Sequence, residues 1–549
     1  MKSNYLNIFS KVGISLIVAM SLMMVTITGC DMKSGANSQI DKIKLFVSKA
    51  SIKSDGKDSV EFSVSAYNQN GTESTEKYDS AILSDGGAQL PSPAFSTKTS
   101  GEYNFRAKVD DNYSEYVTVT AAEIVMPPVL FIETAGKEIN GDSDTPVTIY
   151  VCNGTEKISD AQSSTPLITA KAQVKYRGQS SMQFPKKSMS LKFIDDAGKK
   201  CEKELLGMKA EDEWVLYGPY PDRSLLRNYI GFTLAAQTLK TWQPSVRFCE
   251  VYQVSSLSDK IDDKNNYLGV YLAIESISRD KNRLNLPKTL TDTVDGSYIF
   301  ARDKAKEGDN SFTSLEGSWH FPFVINFPTK KDITAEQTQF ITKTVHDFET
   351  VLFSPNFADP ITGYSKYIDV DSFIDYAIVN DYIKNVDGGS VSAYFYKTAG
   401  QKIVLGPIWD MDLSMGNVNF KKGAVPGSTP DGWFVSDSYW FNRLFQDKAF
   451  CDKFTARYAA LRKTTLTTEN LNKIINDGIT TLGGAVAKNF QRWPEVFQKT
   501  IWPNPDPQTK TYDQEIKKLF EFFAKRGEWV DNNLSKFTVM EKKTYVLGQ

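Results

Sequence analysis

The chain has 549 residues, which is long enough for two or three domains and a large core. Hydrophobic residues make up 41% and charged residues 24% of it, as in an ordinary globular protein. The 64 basic and 66 acidic side chains leave a net charge of −2, so bulk charge does not favour nucleic acid as a partner. We therefore expect no nucleic-acid binding, and other partners must be inferred from individual sites.

The first thirty residues have the pattern of a bacterial lipoprotein signal. Lys2 and Lys11 accompany an apolar run at 12–25, and small residues precede Cys30. We predict a signal peptide at 1–30 and a lipid on Cys30, which would anchor an exported protein in the bacterial cell envelope. The alternative is an ordinary secretory signal with a chance cysteine. No later apolar run approaches the roughly 20 residues that a membrane helix needs.

Residues 31–39 are small and polar and predict a short tether. Between 40 and 122, alternating runs such as KIKLFVS and GEYNFRAKV are separated by Asp-Gly, Asn-Gly and Ser-Gly turns. About seven strands at this spacing predict an immunoglobulin-like β-sandwich. It resembles the Ig-like modules of bacterial surface proteins, which usually space or position a catalytic domain, so we assign it no chemistry.

A second domain is predicted at 125–540, and it opens with strands. The turn RGQSS at 177–181 lies between two of them, and the strand that follows places Ser188, Ser190 and Lys192 on one face. Backbone N–H groups in a Gly/Ser turn can approach phosphates closely, and a lysine on the next strand can neutralise them. Taken alone, the pattern also fits an ordinary surface hairpin.

Helix and loop signals follow this strand pair. Apolar periodicity predicts a helix at about 223–239 with Asp222 as its N-cap. Strands are predicted at 246–254 and 267–276, and the polar, Gly-containing loop at 304–314 is typical of a mobile lid. The remainder of the chain is predicted to be mostly helical. We expect the widely spaced cysteines to be free thiols: Cys152, Cys201, Cys249 and Cys451.

The stretch 381–416 carries three acids at the ends of short elements. A helix predicted at 372–383 runs into a turn that bears Asp387, and two strands then lead to Asp410 and Asp412. Because these last two acids are two residues apart, an extended segment would point them to one side. In the alternative interpretation, Asp387 only begins a common Asp-Gly turn and the other two acids cap a loop.

Four ordered blocks resemble the CotH family, the atypical protein kinases of the spore-coat-protein-H type. They are VKYRGQSSMQFPKKSMSLKF, DRSLLRN, GVYLAIESISRDKNRLNL, and NVDGG followed by GPIWDMDLSMG. The resemblance covers roughly residues 125–540. It implies an α+β, two-lobed, protein-kinase-like domain whose first lobe is a sheet with one helix. With the β-sandwich predicted before it, the expected fold class is multidomain. This sequence differs from the family pattern at one place. Many relatives have an Asn a few residues after the loop acid, whereas the nearest residue here is Ser392.

The resemblance also implies a reaction. ATP is the expected phosphoryl donor, and Mg²⁺ or Mn²⁺ is the expected metal. Asp387 would orient or deprotonate the acceptor hydroxyl, while Asp410, with or without Asp412, would hold the metal. The departure at Ser392 implies a weaker or shifted second metal ligand.

The nucleotide-binding side chains implied by the resemblance are Arg177, Lys187, Lys192, Arg227 and Glu275. The turn would cover the phosphates, with either Lys187 or Lys192 as the nucleotide lysine. Arg227 stands on the helix where ordinary kinases have a Glu; it would contact phosphate or a site acid, or be an ordinary surface residue. Glu275 would accept from the adenine amino group or brace Arg279.

These patterns together predict a surface-anchored kinase that transfers the γ-phosphoryl group to Ser or Thr of exported or surface proteins. The alternative is a non-catalytic, pseudokinase-like scaffold or adhesin on the cell surface. An exported protein meets little ATP, which favours the alternative, whereas the three acids favour the kinase.

Overall fold

The computed structural model describes residues 40–54, 56–75, 77–123, 125–315, 321–422, 424–505 and 508–539. The predicted signal peptide, the tether and Cys30 lie outside these residues. The chain divides into two compact units, with the division after Glu123. Strands dominate the N-terminal half and helices the C-terminal region, as predicted. Among the described residues, no helix is both long and apolar enough to cross a membrane.

The first unit consists of short strands that form two sheets. In chain order the strands are β1 (Ile40–Val47), β2 (Ser51–Lys53), β3 (Val60–Asn68), β4 (Ser80–Ser84), β5 (Ala94–Phe95), β6 (Gly101–Val109), β7 (Asn112–Tyr113) and β8 (Val117–Ala122). One sheet has the order β1-β3-β5, and the other has the order β2-β8-β6-β4 with β7 paired to β6.

An apolar core joins the two sheets of this unit. Phe62 of β3 and Phe105 of β6 approach to 4.9 Å between ring centroids. Ile43 of β1 and Val119 of β8 belong to the same buried cluster. The alternating sequence runs therefore bury one face of each sheet against the other. The immunoglobulin-like type of this unit stays a prediction.

The second unit opens with a closed β-barrel. Its elements are β9 (Val129–Glu133), β10 (Thr145–Cys152), α1 (Ile158–Ser163), β11 (Ile168–Arg177), β12 (Ser188–Phe193), β13 (Lys203–Leu205), β14 (Met208–Glu211), β15 (Glu213–Tyr217), α2 (Arg227–Thr238), β16 (Val246–Val254) and β17 (Tyr267–Glu275). The barrel order is β10-β11-β12-β15-β17-β16-β9. The sheet closes because β9 pairs antiparallel with β10 and parallel with β16. The predicted strands are present, and their closure is a feature that the sequence did not indicate.

The C-terminal region combines a small sheet with most of the helices. Its elements are β18 (Tyr298–Arg302), β19 (Ser311–Phe312), β20 (Phe323–Phe327), α3 (Ala335–Leu352), α4 (Val370–Tyr382), β21 (Ala393–Lys397), β22 (Val404–Leu405), β23 (Lys421–Lys422), β24 (Val425–Pro426), α5 (Tyr439–Leu444), α6 (Lys448–Leu461), α7 (Thr468–Leu482), α8 (Ala485–Arg492), α9 (Glu495–Gln498) and α10 (Tyr512–Asn533). The sheet has the order β19-β20-β18-β21-β22.

Helix α2 connects the barrel to this region. It begins at Arg227 rather than near 223, and Asp222 is not its N-cap. The Asp222 carboxylate instead accepts the backbone N–H groups of Ser224 (3.0 Å) and Arg227 (2.9 Å), which shapes the turn before the helix. Ile230 of α2 lies in one apolar cluster with Ile378 of α4. Residues near the start of α2 therefore stand between the barrel and the C-terminal helices.

Candidate active site

A cavity of about 330 Å³ lies between the barrel and the C-terminal region. Its walls come from the ends of β11, β15 and β18, the start of α2, and the loops around residues 387–392, 409–413 and 502–503. This volume is within the range of small-ligand pockets. Of the predicted site residues, the cavity brings together Arg177, Asp387, Asp410 and Asp412.

The Gly/Ser turn after β11 forms one wall. Gly178 has a φ of +123°, and a Cβ there would come within 2.1 Å of the Ser181 hydroxyl oxygen, so the turn requires glycine. Opposite this turn, the Lys304 Nζ donates to the Ser180 hydroxyl at 2.8 Å. The Gln179 amide donates to the Lys304 carbonyl at 3.4 Å. The turn and the segment after β18 therefore hold each other at the cavity edge.

The Asp387 loop is fixed by an asparagine two residues earlier. The Asn385 side-chain oxygen accepts the Asp387 N–H at 3.2 Å, and its amide donates to the Asn380 side-chain oxygen of α4 at 2.9 Å. The Asp387 carbonyl accepts the N–H of Ser390 at 2.8 Å. The N-x-D sequence is thus a compact turn that points its acid into the cavity from the end of a buried helix.

The segment with Asp410 and Asp412 was predicted to be extended, but it is not. Asp410 has a φ of +60°, a left-handed conformation. The next N–H, that of Met411, donates to the Asn228 side-chain oxygen at 2.8 Å. One oxygen of Asp412 accepts the Tyr217 hydroxyl at 2.8 Å. Both acids still line the cavity, because these contacts, and not strand geometry, set their direction.

The cavity carries an excess of negative charge. Burial raises the pKa of Asp410 well above its usual range, and the carboxylates of Asp412, Asp387 and Asp303 raise it further, whereas Arg177 opposes the rise. Burial also raises the pKa of Asp412, and the hydrogen bond from a neighbouring tyrosine partly offsets this. The same two acids that the sequence suggested as metal ligands are therefore the ones whose charge the protein leaves incompletely compensated.

These acids have the right chemistry for a hard cation but do not form a closed site. Carboxylate oxygens are the donors that Mg²⁺ prefers. In the described part of the chain, no three His, Cys, Asp or Glu side chains converge as a metal centre does. The donor set and the uncompensated charge thus fit a divalent cation that is also held by a ligand such as phosphate, as Mg²⁺ usually is.

Sequence comparison identifies the family. A model of the CotH family, described as CotH kinase protein, matches residues 174–530, which is more than half of the chain. The chain belongs to the CotH family. The match includes Arg177 and the segments with Asp387, Asp410 and Asp412, so the cavity lies inside the CotH region. No curated protein matches the chain.

Similarities to solved structures are slight. The Yersinia pseudotuberculosis adhesin InvE is 11% identical over 30% of this chain and 59% of its own, with a TM-score of 0.15. The surface layer protein SbsC, domains 4–9, is 10% identical over 32% of this chain and 45% of its own, with a TM-score of 0.16. This chain thus covers less than two thirds of either structure, and TM-scores of this size do not indicate a shared fold.

Neither candidate nucleotide lysine lines the cavity of the CotH region. The Lys192 Nζ lies 3.6 Å from Asp144 and 3.5 Å from Glu213, so it bridges two acids on the barrel. The Lys187 Nζ donates to the Met182 carbonyl. The cations that do line the cavity are Arg177 and Lys304.

Glu275 does not occupy the nucleotide-binding position that was predicted for it. Its carboxylate accepts the Ser245 N–H at 2.9 Å and pairs with Arg283 at 2.8 Å. Arg279, the predicted partner, donates instead to the Leu286 carbonyl. Glu275 is 2% exposed and does not line the cavity, so the structure gives it a bracing role with a different arginine.

Arg227 is a buried structural cation. It pairs with Asp222 and Glu515, each at 2.6 Å, and its side chain is 0% exposed. The surface alternative is therefore wrong, and the residue does not line the cavity where a phosphate would bind. It reaches the acid segment only through the backbone, by donating to the Ser414 carbonyl at 3.1 Å.

Five polar residues of the cavity were given no site role from the sequence: Tyr217, Asn228, Asp303, Lys304 and Tyr394. Asp303 follows β18 directly, and an acid at a strand end was the signal that could have indicated it. Asn228 lies in the DRSLLRN block, beside Arg227 on the predicted helix, but only Arg227 was given a role. Tyr217 and Tyr394 have no local signal, because tyrosines in strands are common.

Proposed function

We propose that this CotH-family chain is a kinase that transfers the γ-phosphoryl group of ATP to a Ser or Thr hydroxyl of an exported or surface protein. The observation that carries this proposal is the cavity, whose lining combines a Gly/Ser turn and the cations Arg177 and Lys304 with the acids Asp387, Asp410 and Asp412. Phosphoryl transfer depends on these parts: groups that hold the phosphates, acids for a metal, and an acid for the acceptor.

The nucleotide would lie along the cavity. Buried apolar side chains at one part of the lining, Val215, Phe232 and Ile274, suit the flat adenine ring. The turn at 177–181 would cover the phosphates, with Arg177 and Lys304 supplying positive charge. In this proposal the barrel and α2 would be the counterpart of a kinase first lobe, and the helical region would be the counterpart of the second.

Asp410 and Asp412 are the residues that would hold Mg²⁺ or Mn²⁺. Their shared cavity wall, their oxygen donors and the raised pKa values of both acids support this assignment. When bound, the cation supplies the positive charge that offsets both the acids and the phosphates.

Asp387 would act on the acceptor. Its carboxylate orients the acceptor hydroxyl and takes its proton while the hydroxyl oxygen bonds to the γ-phosphorus. The bond from that phosphorus to the β–γ bridging oxygen breaks, and ADP leaves. The Asn385 contact supports this role, because it holds the Asp387 backbone in one place relative to α4.

We further propose that the protein is anchored in the bacterial cell envelope through a lipid on Cys30. The apolar run and the small residues before this cysteine support the anchor. Cys30→Ser should move the protein from the membrane to the soluble fraction. Membrane association of the variant equal to that of the wild type would contradict the anchor and leave the kinase proposal untouched.

The decisive experiment combines binding with transfer. Calorimetry of ATP binding to the mature chain, with and without Mg²⁺, should show affinity that depends on the metal. Incubation with γ-labelled ATP should then label the protein itself or added Ser/Thr substrates. Metal-independent or absent binding together with no labelling would instead support the non-catalytic scaffold.

A further inference from the structure

We infer that Tyr217 and Asn228 are positioning residues that fix the acid segment 410–412 from two sides and thereby set its affinity for the divalent cation. This inference rests on the proposed function, because it assumes that the segment binds a metal with nucleotide. Both residues line the cavity, yet their hydrogen bonds are made to the acid segment.

Tyr217 supports the segment from the barrel. It is the last residue of β15, a strand paired on both sides by β12 and β17. Its hydroxyl donates to one Asp412 oxygen at 2.8 Å. A phenylalanine at this position would fill nearly the same space without this bond, so the oxygen of Tyr217 has a specific effect on the direction of one carboxylate.

Asn228 supports the segment from helix α2. It is the second residue of the helix and is 4% exposed. Its side-chain oxygen accepts the Met411 N–H at 2.8 Å, between the two acids. This bond fixes the peptide that follows Asp410, whose left-handed conformation is uncommon for L-residues other than Asn and Asp.

The neighbouring Arg227 extends the support from α2. Its guanidinium donates to the carbonyls of Ser414 at 3.1 Å and Met415 at 3.3 Å. The acid segment is thus held at its centre by Asn228, at its second acid by Tyr217, and just beyond by Arg227. Without these bonds, the two acids would lose the contacts that fix their direction.

The consequence is a preorganised pair of metal ligands. Side chains that orient ligating carboxylates typically change metal affinity or activity by about 10- to 100-fold when they are removed. A purely structural residue of the same type would lower stability and leave the metal dependence unchanged. This difference makes the inference testable.

The test compares two tyrosines that each donate to an aspartate. Tyr217→Phe should raise the Mg²⁺ or Mn²⁺ concentration for half-maximal ATP binding by about 10-fold or more, with metal-free ATP binding unchanged. Calorimetry and metal-induced shifts in melting temperature would measure this in the mature full chain. The matched control is Tyr364→Phe, which removes a 2.6 Å bond to Asp447 outside the cavity. It should leave the metal dependence at the wild-type value.

Asn228→Leu provides the second arm, since it removes the acceptor of the Met411 N–H and should weaken metal-dependent ATP binding at least as much. If this variant does not fold, Tyr217→Phe alone decides. Wild-type metal dependence in Tyr217→Phe, or an equal shift in Tyr364→Phe, would overturn the inference and leave the kinase proposal standing. Absence of metal-dependent ATP binding in the wild type would overturn both.

Discussion

Two groups of buried carboxylates in the second unit have opposite electrostatic surroundings. Asp222 and Glu515 share the Arg227 guanidinium in a network with no solvent exposure at the cation. Burial alone would raise the pKa of Glu515, but the charges of Arg227 and Lys518 and the hydrogen bonds from Thr509 and Arg227 together more than offset it, and the pKa is lowered. In the cavity, Asp410 is buried among other acids and its pKa is raised well above its usual range.

The comparison shows that one domain places buried carboxylates in two different electrostatic surroundings. Where each acid has a cation from the chain, the pair joins elements that are distant in sequence, here α2 and α10. Where the chain supplies less positive charge than the acids need, as in the cavity, the surroundings are those expected of a binding site. Asp381 belongs to the first group, because its carboxylate pairs with the fully buried Arg526 at 2.6 Å.

The largest expected effect on stability comes from removing Arg227, the cation that Asp222 and Glu515 share. Arg227→Met should lower the free energy of unfolding by about 3–5 kcal/mol, because Asp222 and Glu515 would remain buried without their cation. Urea denaturation followed by circular dichroism would measure it. Lys448→Met is the control, since its pair with Asp452 is well exposed and an exposed i,i+4 pair contributes only about 0.3–0.5 kcal/mol. Similar losses of unfolding free energy in the two variants would contradict the difference between buried and exposed pairs.

The next effect separates the acids of the cavity by role. Asp387→Asn keeps the size of the side chain and removes its charge, so phosphoryl transfer should fall by about 10²-fold or more. Metal-dependent ATP binding should survive, because Asp387 acts on the acceptor. Labelled-phosphate transfer and calorimetry on the same sample would show the split. A parallel loss of ATP binding would mean that Asp387 holds the metal or the nucleotide.

A smaller effect concerns pH. The folded-state pKa of Asp410 lies above its unfolded value, so the native state retains this proton longer than the unfolded state does. Its contribution to stability is complete below the ordinary Asp range and is lost as pH rises through the raised pKa. The melting temperature of the metal-free protein should therefore fall across this window, and Mg²⁺ should bind more tightly as pH rises.

Asp410→Asn should remove part of this pH dependence. It should raise the metal-free melting temperature at high pH and weaken Mg²⁺-dependent ATP binding, because both the repulsion and the ligand charge are gone. Some slope should remain from Asp412, whose pKa is also raised. Thermal melts at several pH values with and without Mg²⁺ would test this, and a variant less stable than the wild type at every pH would contradict it.

The smallest effect compares two cations. Arg177→Met should weaken ATP binding by about 10-fold, since Arg177 lines the cavity where the phosphates would bind and a charged hydrogen bond contributes roughly 1.5–3 kcal/mol. Lys192→Met should change it less than about 2-fold, because its partly exposed bridges to two acids contribute little. A loss of ATP affinity in Lys192→Met larger than that in Arg177→Met would support Lys192 as the nucleotide lysine after all.

The sequence by itself determined the strand-rich first half, the helical second half, the family, and the acids of the site. These features depend on patterns that can be read along the chain: the period of apolar residues, the Asp-Gly turn, and the motif blocks and their order. Asp387, Asp410 and Asp412 were found because each stands where a local element ends, and the structure places all three in one cavity.

The partners of these residues were decided only by the tertiary structure. Arg227 and Glu275 were both assigned to the nucleotide, yet Arg227 pairs with Glu515 of the last helix and Glu275 with Arg283 of a following turn. Closure of the barrel depends on β9 reaching β16, which lies more than a hundred residues later. Such contacts join segments with no common local pattern. Which charges are compensated by another side chain, and which are not, is therefore fixed only when the chain has packed.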